Sequence, residues 1–191
     1  LDSTDAGLTI TAAPGETPVL YGGKIVTGWE PDGEFIAAKL DGVKEGEWDF
    51  RSLVVNGELR QRSRLPEDGA YQHESTFDVR WMSTTGGGWE RKPTNEELTT
   101  MKYKEGDLGP WLDVNNAELT VYHAWDESVV GLESIDLDRH IVRFSNPSGH
   151  PPGGFSGWLD KAKTYVVWNV REGMTRPGQW YLDRTAGKVV Y

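Results

Sequence analysis

Tryptophan is the residue type here whose chemistry is most specific. Nine indoles occur in 191 residues, and a flat indole face packs on the C–H patches of a pyranose ring while its N–H bonds a hydroxyl. Three sit in turn-like, Gly-rich settings: Trp89 after Gly86-Gly87-Gly88, Trp111 after Gly109-Pro110, and Trp158 after Gly157. Functional residues concentrate on loops, so these three are the candidate carbohydrate contacts. The plainer account is that they plug the ends of a core, since Trp is highly buried on average. Trp29, Trp81, Trp125, Trp168 and Trp180 lie in or beside strand-like runs and read as core, and Trp48 fits either account.

Charged candidates come next. Arg62 and Arg64 share one strand face ahead of Pro66. Together they suit a carboxylate on an acidic sugar, because Arg makes bidentate contacts, or an ion pair with one of the 30 acidic side chains. Asp136, Asp138 and His140 alternate within 133–144, which reads as one strand with these three on a common face. Residues two apart on a strand lie roughly 6–7 Å apart, between the carboxylate spacings of retaining and inverting glycosidases. A half-buried strand with Ile135 and Leu137 in the core explains the same alternation.

Other chemistries find no motif. His73, His123, His140 and His150 are scattered, and Asp113-Val114-Asn115-Asn116 lacks the glycine and closing glutamate of an EF-hand loop. No metal and no cofactor is expected. Gly154-Phe155-Ser156-Gly157 is no nucleophile elbow, and Gly86-Gly87-Gly88 lacks the Lys-Ser/Thr of a phosphate-binding loop. No catalytic residue is assigned.

The elements that must position these residues are short strands. Apolar residues make up 37% of the chain and aromatic ones 11%, too many for disorder. The length suits one core, or a core with an appendage, but hardly two full domains. A net charge of −10 without a Lys/Arg run disfavours nucleic acid and anionic lipid surfaces as partners. There is no cysteine, hence no disulfide, and no apolar run reaches the ~20 residues of a membrane span. Strands are expected at 8–12, 19–21, 24–27, 35–39, 118–124, 128–130, 133–144 and 163–168. Asn56-Gly57 joins 53–55 to 59–62 in a hairpin, and 179–182 pairs with 188–191. Thr94-Asn95-Glu96-Glu97 is a capping box that opens a helix with Leu98 and Met101 on one face. The class is all-β with one short helix. The chain begins without Met and enters a strand-like pattern at once, as expected of a piece of something longer.

Several stretches resemble a known family. Residues 9–20 with Gly22-Gly23 and 26–29, then 50–57 with 62–66, and above all 165–172, 176–183 and 187–191, are similar to right-handed parallel β-helix proteins of glycoside hydrolase family 141 and its relatives. Trp168 departs from the pattern, where relatives usually carry Glu. The resemblance implies three parts: opening β-helix coils at 1–66, an inserted β-sandwich-like module at 67–162, and a return to the β-helix at 163–191. It places the family's catalytic carboxylates on later coils, outside this chain. It implies an ancillary module that docks on the remainder of a β-helix and contacts a polysaccharide or oligosaccharide, in a secreted or periplasmic bacterial protein. Two alternatives stay open: a free-standing carbohydrate-binding module, and a small glycoside hydrolase using Asp136 or Asp138. A purely structural role at the end of the β-helix is a further one.

Overall fold

A computed structural model describes residues 2–157 and 163–191. The chain is nearly all β, with thirteen strands and one α-helix among the described residues. β1 (Glu30–Asp32), β2 (Phe35–Lys39), β3 (Leu53–Val55) and β4 (Glu58–Arg62) come first. β5 (Arg64–Leu65), β6 (Tyr71–Gln72), α1 (Asn95–Thr99), β7 (Thr100–Lys102), β8 (Glu118–Tyr122), β9 (Glu127–Asp136), β10 (Ile141–Phe144) and β11 (Thr164–Trp168) follow. β12 (Gln179–Asp183) and β13 (Lys188–Val190) close the chain.

The strands form two sheets. The first has the order β1-β2-β13-β12-β4-β3, and the second β5-β11-β8-β9-β10-β7 with β6 also on β11. Only β12 and β4 run parallel among the described pairs. The chain enters the second sheet after Arg62 and leaves it after Trp168. Each sheet buries its own core. Trp180, Leu182, Val189, Ala38, Val43 and Leu53 form the first. Leu119, Val121, Val130, Val142, Tyr165 and Val167 sit at the centre of the second. Trp180 is fully buried beneath a stack in which Phe50 lies 5.3 Å from it and Trp48 5.1 Å from Phe50. A side chain of this size removes roughly 150–250 Å² from water, on the order of 4–6 kcal/mol at ~25 cal/mol per Å².

Local chemistry explains the well-formed turns. Asn56 and Gly57 both take positive φ, 55° and 81°, as a type I′ hairpin turn requires, and β3 pairs with β4 through it. The capping box at α1 is present: Thr94 Oγ1 accepts from the Glu97 N–H, and the Thr94 N–H donates to the Glu97 carboxylate. The helix stops sooner than expected. Thr99 and Thr100 are β-branched and poor helix formers, and Met101 is buried on strand β7, paired with Val142, not on a helix face.

Two further expectations are corrected. The run 133–144 is not one strand. Asp136 ends β9, its Oδ1 accepts from the N–H groups of Asp138 and Arg139, and a turn with His140 at φ 55° leads into β10. Asp136, Asp138 and His140 therefore share no strand face, and Leu137 is exposed. The strands expected at 8–12, 19–21 and 24–27 are not strands. Alternation creates a sticky face, but a strand also needs a ladder partner, and neither sheet supplies one for this stretch.

Candidate functional site

The two sheets meet at a crossover made by Ser63 and Asn169. Ser63 continues the line of β4, donating its N–H to the Trp180 carbonyl at 2.7 Å, while its own carbonyl accepts from the Asn169 N–H at 2.9 Å. Asn169 is fully buried with φ 62°, a left-handed conformation that Asn tolerates better than most residues. Its Nδ2 donates to the carbonyls of Asn116 (2.7 Å) and Leu182 (2.8 Å). Its Oδ1 accepts from the Leu182 N–H at 2.7 Å and from Arg62 Nε at 3.3 Å.

Beside this amide lies a buried carboxylate. Glu118, at the start of β8, accepts from Arg62 Nη1 at 2.8 Å, from Arg51 at 2.9 and 3.1 Å, and from Arg184 Nη2 at 2.6 Å. Arg184 also reaches Asp49 and the Asn116 carbonyl. Burial alone would raise the Glu118 pKa. The hydrogen bonds from Arg62 and Arg51 and the charges of Arg62 and Arg184 outweigh it and lower the value to about 2. A carboxylate held this way has no proton to give near neutrality and serves as a structural anion. Arg62, read from sequence as a sugar contact or an ion-pair partner, is buried in this pair. Burial lowers its own pKa, against the pull of Glu118.

Above the crossover opens a cleft of about 260 Å³, lined by Trp111, Asp113, Asn116, Arg171, Glu172, Tyr181 and Asp183 among others. That volume lies just below the ~300–1,000 Å³ of drug-sized pockets, so it matches a single small ring better than a chain. Trp111 supplies the aromatic wall, with its other side against the second core. The Asp113 carboxylate accepts from the Asn115 N–H and Asn116 Nδ2, both at 2.9 Å, and Asp183 accepts from the Ala186 N–H at 2.8 Å. Burial, then the Asp183 charge, pushes the Tyr181 hydroxyl up to about 12, so it stays a neutral donor. Among the described residues no group of three or more His, Asp or Glu is placed to hold a metal ion.

A second aromatic group gathers at the far end of β8. The three glycines at 86–88 all take positive φ and turn the chain so that Trp81 and Trp89 face each other as an isolated bridge. Trp89 is half-buried, edge-on to Phe77 and Trp81 at 4.9 Å and tilted against Phe155 at 4.7 Å. Gly154 crosses its ring so closely that a Cβ there would lie 2.8 Å from the indole. Trp125 sits outermost. It was expected in the core, yet it is 58% exposed, in the turn between β8 and β9 that the His123 N–H closes onto the Asp126 carbonyl at 2.8 Å. No sequence signal separates it from Trp180, because both stand beside strand-forming residues.

The other candidates lie apart from these two places. The Arg64 guanidinium lies 5.1 Å from the Trp168 ring and donates to the Pro66 and Gly69 carbonyls. Asp136 caps its turn beside Asp138. Trp158 lies outside the described residues. Glu118 and Asn169 escaped the sequence reading, since a Glu opening a strand and an Asn ending one look like solvated ends. Among the described residues no helix is long and apolar enough to cross a membrane.

No family model matches the sequence, and no curated protein matches it. A solved structure described as a glycoside hydrolase has a similar fold, with a TM-score of 0.52 and 20% sequence identity. The likeness covers 89% of this chain, which spans only 28% of that one, and at this identity it concerns the fold alone.

Proposed function

We propose that this chain is a non-catalytic ancillary module of a larger carbohydrate-active protein, and that residues 1–66 and 163–191 dock it onto a β-helix while 67–162 forms the inserted part. One observation carries the docking. Leu8, Ile10, Val19, Leu20, Tyr21 and Ile25 are 58–88% exposed on a stretch that pairs with neither sheet. An apolar run of this length left in water is the mark of an interaction surface. The alternation at 8–12 suits pairing with further strands. The fold neighbour, a much longer glycoside hydrolase, supports the carbohydrate side of the proposal.

The missing chemistry points the same way. The best-buried carboxylate is locked by three arginines, and two acids of the Trp111 cleft, Asp113 and Asp183, already cap backbone turns. The cleft offers one aromatic wall and several hydroxyl-binding groups, which suits contact with a sugar and not its hydrolysis.

The test is a panel of plant and algal polysaccharides incubated with the chain. Reducing-end release by the chain alone would remove the ancillary role. Hydrogen exchange tests the docking: residues 6–25 exchange freely in this chain and become protected in a longer polypeptide carrying β-helix coils. If they stay unprotected there, the docking fails. The exposed Trp125 favours a second account, a free-standing carbohydrate-binding module, which binds polysaccharide with no body to dock on.

A further inference from the structure

We infer that Trp125 carries a sugar-stacking subsite for a neutral pyranose, separate from the Trp111 cleft; the inference rests on the carbohydrate reading above. The turn at 123–126 is where Asn, Asp or Gly usually sit, yet Trp125 places a large ring in water there. The ring is fixed from behind. Phe155 lies 4.5 Å from it in a tilted contact, and Trp81 lies 5.8 Å away edge-on. The turn is pinned as well. His123 Nε2 lies 3.0 Å from Ser128 Oγ and 3.2 Å from Ser148 Oγ, and His150 Nε2 lies 3.3 Å from Asp126 Oδ2. A rigid aromatic platform costs little ordering entropy when a ligand arrives.

The chemistry beside the ring selects the ligand. Asp126 and Glu127, the next two residues in the chain, are exposed, and carboxylates accept hydroxyl donors while repelling anions. A ligand that stacks on an indole and offers hydroxyls to carboxylates is a sugar ring without its own acid group. A uronate meets like charge here, on a chain whose net charge is already −10. Asn116 and Glu118 stand at one end of β8 and Trp125 beyond the other. Five strand residues span roughly 15 Å, so one monosaccharide cannot touch both places.

The experiment is affinity electrophoresis in gels containing a neutral β-glucan, a neutral galactan or polygalacturonate. It compares the parent with Trp125→Ala, Trp125→Tyr and Trp111→Ala, each checked for unchanged circular dichroism. The expected result is retardation of the parent by a neutral polymer and not by polygalacturonate. Trp125→Ala loses roughly tenfold in affinity, the scale of about one stacking contact, and Trp125→Tyr keeps most of it. If Trp125→Ala binds within about twofold of the parent while Trp111→Ala weakens, the subsite is overturned and the carbohydrate reading survives. Equal retardation by polygalacturonate overturns the choice of a neutral ring. A parent that no polymer retards overturns both.

Discussion

The side chain of Asn169 acts as a short strand beside Leu182. Its Oδ1 accepts the Leu182 N–H at 2.7 Å and its Nδ2 donates to the Leu182 carbonyl at 2.8 Å. Strand β11 of the second sheet ends at Trp168 and β12 of the first contains Leu182, so this amide joins the Ser63 backbone in tying the two sheets together.

Replacing Asn169 with Ala leaves the Leu182 N–H and the buried carbonyls of Leu182 and Asn116 without this partner. Each unsatisfied buried group costs about 1–3 kcal/mol, so a loss of several kcal/mol is expected in urea unfolding. Asn169→Gly removes the same bonds but accepts φ 62° without strain. It should be the less damaged variant by about 1 kcal/mol. Equal losses would mean that the backbone conformation contributes nothing.

Glu118→Gln strips the counter-charge from Arg62, Arg51 and Arg184. Breaking a buried pair typically costs about 3–5 kcal/mol, read at neutral pH as a lowered denaturant midpoint. The folded pKa of about 2 lies below the ordinary 4.5. The stabilisation is therefore complete above about 4.5 and lost as pH falls through about 2, amounting to about 3 kcal/mol. In Glu118→Gln the stability curve should be flatter in that window. An unchanged slope would show that Glu118 does not carry the acid sensitivity.

Histidine adds a window that starts higher and overlaps the carboxylate one. His73 is buried, and burial first, then the charges of Lys163 and His123, lowers its pKa to about 3. Burial lowers His123 to about 4. Both folded values lie below the ordinary 6.5, so stability is full above about 6.5 and declines as pH falls toward the folded values. His73→Phe should flatten the pH dependence of the unfolding midpoint between pH values of about 6.5 and 4.5, above the window of Glu118. A parent-like slope in the upper window would assign the effect to other groups.

The N-terminal stretch should be thermodynamically silent in this chain. Ile10→Ser, Leu20→Ser and Ile25→Ser together should change unfolding free energy by less than about 0.5 kcal/mol, as surface substitutions do. A loss above about 2 kcal/mol would place the stretch in the folded core.

Two tryptophans of similar sequence context should behave oppositely. Trp180→Ala empties a fully buried site and should cost about 3–5 kcal/mol. Trp125→Ala removes a ring that is mostly in water and should stay within about 1 kcal/mol. Comparable losses in thermal unfolding would contradict the exposure of Trp125.

By itself the sequence determined the features whose physics is local. Asn56-Gly57 dictated a hairpin because both residues accept positive φ, Thr94 and Glu97 dictated a helix start through reciprocal hydrogen bonds, and 179–182 paired with 188–191 across a short turn, as read. Tertiary structure decided whatever depends on partners distant in the chain. Residues 8–12 carry a strand pattern yet pair with neither sheet, because a ladder needs a second strand. Arg62 and Glu118 are 56 residues apart, and only the crossing of the sheets turns two ordinary surface-type charges into a buried pair. Trp125 and Trp180 look alike in sequence. Which one is core depends on whether another layer covers it, and no local rule encodes that.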